Sequence, residues 1–171
     1  MRWFLLAILA YAFLVIQTTL FRPGLLAIEV SQHYVAPDLL LVVGLFLALY
    51  FEPREVFVVG WCLGMASDLV NVAGRLGVCA ILFSVSLVLA TFLRQMIGRP
   101  RALAQFFLCL GLVLAVHAAW YALAGWVEER PVGVGRVMMA AGLDSLYSAV
   151  LAPYAIWMLS KFHGPLRLAI E

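Results

Sequence analysis

Charged residues are scarce in this sequence. Only 12% of its 171 residues are Asp, Glu, Lys or Arg, whereas 66% are hydrophobic. A soluble domain is usually about half apolar, and so few charges cannot cover a surface that faces water. We therefore expect most of the surface to face lipid, in a single integral membrane domain over residues 1–171. The formal net charge is only +2, which provides no basic field for binding nucleic acid.

Motifs typical of catalytic, phosphate-binding and metal-binding sites are missing as well. The sequence contains no H-E-x-x-H, no G-x-S-x-G, no P-loop and no cluster of cysteine and histidine. Its three cysteines, Cys62, Cys79 and Cys109, lie inside apolar runs without a C-x-x-C spacing. We interpret them as core residues rather than as metal ligands or a disulfide. The sequence thus predicts a protein that is not an enzyme, with no catalytic residue, no cofactor and no metal site.

Long apolar runs are what the sequence does contain. A helix needs roughly 20 apolar residues to cross the hydrocarbon core of a bilayer, where it satisfies its own backbone. The predicted transmembrane helices span residues 3–21, 39–51, 56–72, 78–93, 103–127 and 134–159. The fold class is therefore all-α, a polytopic membrane protein with six transmembrane helices. Pro53, in the break between the second and third helices, ends one helix or begins the next.

Two segments of the amino-terminal region have more than one interpretation. The first apolar run resembles a signal peptide, but it is longer than a typical signal-peptide core and no A-x-A-like site follows it, so we interpret it as a retained helix. The longest connection, residues 22–38, contains several apolar residues between its prolines. We expect it to form a short helix at the membrane interface.

The basic residues in the connections predict the orientation in the membrane. If the amino terminus is cytoplasmic, seven of the eleven Lys and Arg residues lie on the inner side and four on the outer side. Because cytoplasmic loops carry an excess of basic residues, we predict a multi-pass protein of the bacterial inner membrane with both termini in the cytoplasm. The cluster Arg94, Arg99 and Arg101 is interpreted as a topology signal that also contacts membrane lipids, with docking of a cytoplasmic partner as the alternative.

Three ionisable side chains fall inside the predicted helices, namely Asp68, His117 and Asp144. Each is costly in a bilayer and therefore needs a partner. The predicted orientation places all three in the outer half of the membrane, in a layer that also contains Gln17, Thr18 and Thr19. The main interpretation is that these groups hold helices together by hydrogen bonds. A binding site for a partner protein and a small-molecule pocket are the alternatives.

The fifth and sixth helices are expected to be antiparallel neighbours, which places His117 and Asp144 at nearly equal depth. A direct pair between these two side chains is one hypothesis. In the other, His117 bonds a backbone carbonyl and Asp144 contacts Ser148, one turn further along the helix.

Small residues form stripes on three predicted helices. Gly60, Gly64 and Asp68 recur at intervals of four, which puts a close-packing face and a carboxyl group on one side of the third helix. Similar stripes on the fifth and sixth helices comprise Gly111, Ala115, Ala118, Ala122 and Gly125, and Ala141, Ser145, Ala149 and Ala152. We interpret these stripes as contacts within the bundle, with a dimer face as the alternative.

Several short motifs follow one another in a characteristic order. In chain order they are V-I-Q-T-T-L at residues 15–20, A-P-D-L-L-L-V-V at residues 36–43, G-x-x-x-G-x-x-x-D-L at residues 60–69, Gly77 before the fourth helix, and residues 146–153 with their final A-P pair. In this combination, over essentially the whole chain, the sequence resembles the rod shape-determining protein MreD family. The positions that the resemblance marks are Pro37, Asp38, Gly60, Gly64, Asp68 and Gly77. His117 and Asp144 have no match in the pattern.

The resemblance implies a non-enzymatic inner-membrane scaffold of the cell-elongation complex, which supports lateral peptidoglycan synthesis and rod shape. Such proteins associate with MreC, a bitopic protein with a periplasmic coiled coil. Through MreC they are connected to the actin-like MreB and to the elongation glycosyltransferase and transpeptidase. The implied fold is similar to that of the S subunits of energy-coupling factor transporters.

A genuine S subunit that binds a small molecule is therefore the alternative function. S subunits often carry an A-x-x-x-A face on their first helix, on which the transmembrane partner docks. Here Ala7, Ala10 and Ala12 are not four residues apart, which counts against this alternative.

Overall fold

Six helices and one short β-hairpin make up the part of the chain that the structure, a computed structural model, describes: residues 2–20, 28–30, 33–70, 77–97, 102–128 and 134–161. The helices are α1 (Arg2–Leu20), α2 (Leu39–Tyr50), α3 (Pro53–Val70), α4 (Val78–Ile97), α5 (Ala102–Glu128) and α6 (Val134–Lys161). Their bounds follow the six predicted apolar runs to within a few residues. The described chain is thus all-helical apart from the hairpin.

The expectation of an interfacial helix before α2 is wrong for the described residues of that connection. They form two antiparallel strands, β1 (Ile28–Val30) and β2 (His33–Val35), in which Ile28 lies opposite Val35. β-Branched and aromatic side chains at most of these positions favour a pleated backbone over a helix. A hairpin this short has little stability of its own. It gains support because β2 packs against α6 and Val35 is buried.

Helix α2 is the central element of the bundle. It contacts each of the other five helices. Every residue from Leu39 to Leu49 is buried. A helix that is apolar on all sides belongs in the interior, surrounded by other helices. Its 12 residues rise only about 18 Å, at about 1.5 Å per residue.

The turn between α2 and α3 is tight, as its sequence predicts. Phe51 is extended and donates its backbone N–H to the carbonyl of Leu47 at 2.8 Å, which closes the last turn of α2. Pro53 is then the first residue of α3, where its fixed φ suits the helix and its missing N–H costs nothing. The sequence predicts that Pro53 ends one helix or begins the next, and in the structure it begins α3.

Helices α3 and α4 form a close antiparallel pair through the glycines of α3. A Cβ added at Gly60 would lie 2.9 Å from the Cα of Ser84, and one added at Gly64 would lie 2.4 Å from the Cα of Ala80. Both distances are too short for a real side chain, so only glycine permits this approach of the two backbones. The stripe on α3 therefore packs within the bundle.

The stripes on α5 and α6 have different environments. Ala141, Ser145, Ala149 and Ala152 on α6 are all buried. On α5, by contrast, Gly111, Ala115 and Ala122 are exposed, and a Cβ added at Gly111 would meet nothing within 4 Å. The side chain position of Gly125 lies outside the described residues. Ala118 is half-buried. At its three exposed positions the α5 stripe does not make the predicted contact within the bundle.

The outer surface of the bundle is apolar. Large hydrophobic side chains are exposed along α1, α3, α4, α5 and α6, among them Leu69 at 70% and Leu103 at 73%. By length and composition alone, one helix in the described ranges could cross a membrane, over Leu103–Leu123 with a mean hydropathy of 2.0. Shorter apolar segments occupy Ile8–Thr19, Leu39–Tyr50 and Val78–Arg94.

Candidate functional site

The amino terminus of α2 is surrounded by polar groups from three helices. The first N–H groups of any helix have no partner within that helix. Inside a bundle, water cannot reach them, so other protein atoms must accept their hydrogen bonds. Asp38 is the N-cap residue, and its Oδ1 accepts from the backbone N–H of Leu41 at 3.1 Å. The N–H of Leu39 donates to the carbonyl of Pro37 at 3.2 Å.

Helix α1 satisfies the remaining donor of this first turn. The Oε1 atom of Gln17 accepts from the backbone N–H of Leu40 at 3.2 Å. The Gln17 side chain also interacts with the carboxyl group of Asp38. Gln17 therefore serves both the helix terminus and its cap. Thr18 and Thr19 do not join this group, since each donates its hydroxyl to carbonyls of α1 itself.

Helix α6 holds the non-helical segment that leads into α2. The Asp144 Oδ1 atom accepts from the backbone N–H of Ala36 at 3.2 Å, and the Ser148 hydroxyl oxygen accepts from the N–H of Asp38 at 2.9 Å. Pro37, which is buried between them, has no N–H to satisfy. Every backbone donor from residue 36 to residue 41 thus has a partner. We call Gln17, Asp38, Asp144 and Ser148 the α2 cap cluster.

His117 lies beside the α2 cap cluster. Its Nδ1 atom is 3.0 Å from the carbonyl of Val113, one turn earlier in α5, and donates to it. Its imidazole interacts electrostatically with Asp38, as does the carboxyl group of Asp144. The hypothesis in which His117 bonds a backbone carbonyl therefore holds for its Nδ1 atom. The predicted contact of Asp144 with Ser148 is also present, although the Ser148 hydroxyl donates to the backbone carbonyl of Asp144, at 2.8 Å.

Asp68 serves the amino terminus of a different helix. Its carboxylate, at the end of α3, accepts from the backbone N–H groups of Gly77 at 2.8 Å, Cys79 at 3.3 Å and Ala80 at 3.4 Å. It therefore caps α4 from the neighbouring helix. Gly77 has a φ of +100°, a conformation that other residues rarely adopt, and this turn presents the N–H groups to Asp68. The side chain of Asp68 is 3% exposed.

The sequence contains a signal for this arrangement that its periodicity does not reveal. No Ser, Thr, Asp or Asn directly precedes α4, where an N-cap residue is expected. An acid nine residues before a turn glycine supplies the missing acceptor. By contrast, Ser148 accepts a hydrogen bond from the backbone of Asp38, 110 residues away, and no local feature of the sequence indicates it. Only the packed bundle reveals that contact.

Backbone N–H groups are the hydrogen-bond donors at the two capping sites. The carboxylate oxygens of Asp68 and the Oδ1 atoms of Asp38 and Asp144 accept from backbone N–H groups. Within the described ranges, no buried side-chain nitrogen or oxygen lacks a hydrogen-bond partner. The same ranges contain no group of three His, Cys, Asp or Glu residues that could hold a metal ion. These hydrogen bonds anchor the helix termini.

The positions that the family resemblance marks thus fall into two places. Pro37 and Asp38 lie at the start of α2, while Gly60, Gly64, Asp68 and Gly77 lie between α3 and α4. His117 and Asp144, which the resemblance does not mark, are brought to the first place. Comparison of the chain with protein-family models, with curated proteins and with solved structures finds no match.

Proposed function

We propose that the chain is a multi-pass integral membrane protein in which the whole six-helix bundle lies in the bilayer. The support is the exposed apolar surface on five helices. Monomeric soluble proteins rarely expose contiguous apolar patches of more than a few hundred Å². Here Ile8, Phe57, Val85, Phe107 and Val150 are each between 47% and 64% exposed, on five different helices. Lipid tails solvate such a surface at no cost.

The short central helix is compatible with this proposal. Helix α2 rises about 18 Å, less than the hydrocarbon thickness of roughly 30 Å. The chain reaches it through residues 36–38, which are not helical. Non-helical backbone is tolerated at membrane depth only where protein surrounds it and satisfies its polar groups. The α2 cap cluster supplies those partners, so α2 does not need the length of a full span.

We further propose that the protein is a non-enzymatic scaffold of the bacterial rod-shape complex. In this role it binds an MreC-like bitopic protein and supports lateral peptidoglycan synthesis. One observation carries the proposal beyond the sequence motifs themselves. Residues that the MreD resemblance marks are those that build the bundle: Asp38 and Asp68 cap helices, and Gly60 and Gly64 allow α3 and α4 to touch. The marked positions therefore share structural roles, which supports the proposal of a scaffold.

Purification of the tagged chain from its own membranes in a mild detergent tests this function. We expect an MreC-like single-span protein to copurify, and depletion of the chain to turn rod-shaped cells round. The α5 variant Gly111→Ala, which changes an open position, is the matched control and should behave like the unmodified chain. Copurification with a membrane coupling subunit and two ATPases, without loss of rod shape on depletion, would instead identify an S subunit.

A further inference from the structure

Arg94 lies on the side of α4 that packs into the bundle. The residues before it on this side recur in steps of three and four and are at most 2% exposed, namely Ala80, Phe83, Leu87 and Ala90. The same spacing leads next to Arg94, which is half-buried. A charged side chain in such a position needs partners, because a buried charge is costly unless it is paired and hydrogen-bonded.

One partner of Arg94 is the carboxyl end of α2. The Nη1 atom donates to the backbone carbonyl of Ala48 at 3.3 Å, two residues before α2 ends. The last carbonyls of a helix have no partner within it and carry a partial negative charge, so a cation is favourable there. This contact occupies one of the five N–H donors of the guanidinium. Within the described part of the chain, the edge formed by Nε and Nη2 donates to no other group.

No acid in the described ranges neutralises this charge. Glu52 and Glu55 lie at the same end of the bundle, between α2 and the first turn of α3, yet neither forms an ion pair with Arg94. The carbonyl of Ala48 offers only a partial charge. The half-buried guanidinium therefore keeps a net positive charge, and its remaining edge has the planar geometry that binds two oxygens of one phosphate group.

The other basic side chains that the structure describes at this end lack these features. Arg54 is exposed, and Lys161 places its ammonium group 3.8 Å from the ring centroid of Trp157, on its own helix. Of the three, Arg94 is the one that is held between two helices. A donor fixed in this way loses less freedom on binding, which favours it as a specific site over a mobile surface charge.

We propose that Arg94 binds the phosphate group of an anionic phospholipid at the junction of α2 and α4. The inference rests on the proposed membrane location of the bundle, which places this end of the helices among the lipid headgroups of the cytoplasmic leaflet. Phe92 and Leu93, which adjoin Arg94 on α4, are 53% and 40% exposed and provide an apolar surface for the acyl chains. An anionic headgroup is favoured over a zwitterionic one, because it contains no positive charge that offsets its phosphate.

Native mass spectrometry of the full chain, purified from membranes and stripped of lipid in a mild detergent, tests the site. Phosphatidylglycerol and the zwitterionic phosphatidylcholine are added at equal concentration, and we expect the wild type to retain phosphatidylglycerol in preference. Arg94→Lys keeps the charge but loses the planar fork, so we expect about tenfold weaker retention, the effect of one charge-assisted hydrogen bond. Arg54→Lys is the matched control and should bind like the wild type. Equal retention of the two lipids, or an Arg94→Lys protein that binds like the control, would overturn the inference.

Hydrogen exchange of the wild-type chain gives a readout that does not depend on the folding of a variant. Phosphatidylglycerol, but not phosphatidylcholine, should slow the exchange of backbone amides at the carboxyl ends of α2 and α4. The absence of this protection in a chain recovered from the membrane fraction would refute the headgroup site alone. A chain that alkaline carbonate releases from the membranes would instead refute the proposed membrane location.

Discussion

At the scale of single residues, the buried acids of this protein accept hydrogen bonds from backbone. Asp144 accepts from Ala36, and Asp68 accepts from three N–H groups of α4 and its preceding turn. An unpaired N–H group in an apolar interior costs about 1–3 kcal/mol. Both acids thus accept hydrogen bonds at or next to the amino termini of helices. This explanation makes different predictions for the two positions.

Substitution of Asp144 separates hydrogen bonding from charge. In Asp144→Asn the side-chain oxygen still accepts from Ala36, so we expect a loss of less than about 1 kcal/mol in the free energy of unfolding. In Asp144→Leu the N–H of Ala36 loses its acceptor, and we expect a loss of about 1–3 kcal/mol. Thermal denaturation of the purified protein in detergent measures both. Equal losses would contradict the interpretation that the side-chain oxygen acts as a hydrogen-bond acceptor alone.

Asp68 should tolerate the amide less well than Asp144 does. Oδ2 accepts from Gly77 and Ala80, while Oδ1 accepts from Cys79, so both oxygens are needed. In Asp68→Asn an NH₂ group replaces one of these oxygens and faces a backbone donor. We expect a loss of about 1–3 kcal/mol, measured in the same denaturation experiment. If Asp68→Asn proved as stable as Asp144→Asn, the three-donor cap would be refuted.

At the scale of elements, the bundle depends on how closely neighbouring helices approach. Glycine at positions 60 and 64 brings the α3 and α4 backbones into contact. The same contact positions Asp68 to cap α4, because the acid lies one turn beyond Gly64 on the same face of α3. Packing of α3 against α4 and capping of α4 by Asp68 are therefore coupled, and a larger side chain at Gly64 should disturb both.

A single methyl group at Gly64 tests this coupling. In Gly64→Ala the new Cβ would lie 2.4 Å from the Cα of Ala80 and 2.5 Å from the carbonyl oxygen of Cys79. Since both are backbone atoms, the helices must separate, and we expect a loss of about 1–3 kcal/mol in stability. The matched change Gly111→Ala on α5 meets open space and should be neutral or stabilising. Thermal denaturation that ranks the two variants alike would contradict the close-contact interpretation.

At the scale of the whole molecule, the other five helices all pack against α2. Five of the helices expose apolar side chains, and the chain enters α2 through a non-helical segment that the α2 cap cluster satisfies. In the proposed membrane location, lipid satisfies the outer surface and protein satisfies the inner backbone. The predicted orientation follows from the basic residues of the connections.

The topology of the proposed membrane bundle has a direct test. Reporter fusions after Glu129 and after Glu171, which lie outside the described residues, mark the connection from α5 to α6 and the carboxyl end. With six spans and an inside amino terminus, the first fusion should report the periplasm and the second the cytoplasm. Paired alkaline phosphatase and green fluorescent protein fusions read out each side. The same side for both positions would exclude six spans.

The sequence alone determined the local features of this protein. Apolar runs predicted six helices, and Pro53 and Gly77 marked two of the breaks between them, because helix formation and termination depend on neighbouring residues. The tertiary structure decided which partner each polar group serves. Asp144 meets Ala36 across 108 residues of chain, and no periodicity encodes that contact. The stripes that contain Gly64 and Gly111 each follow one face of a helix, yet Gly64 is buried and Gly111 exposed, since spacing defines a helix face but not what packs against it.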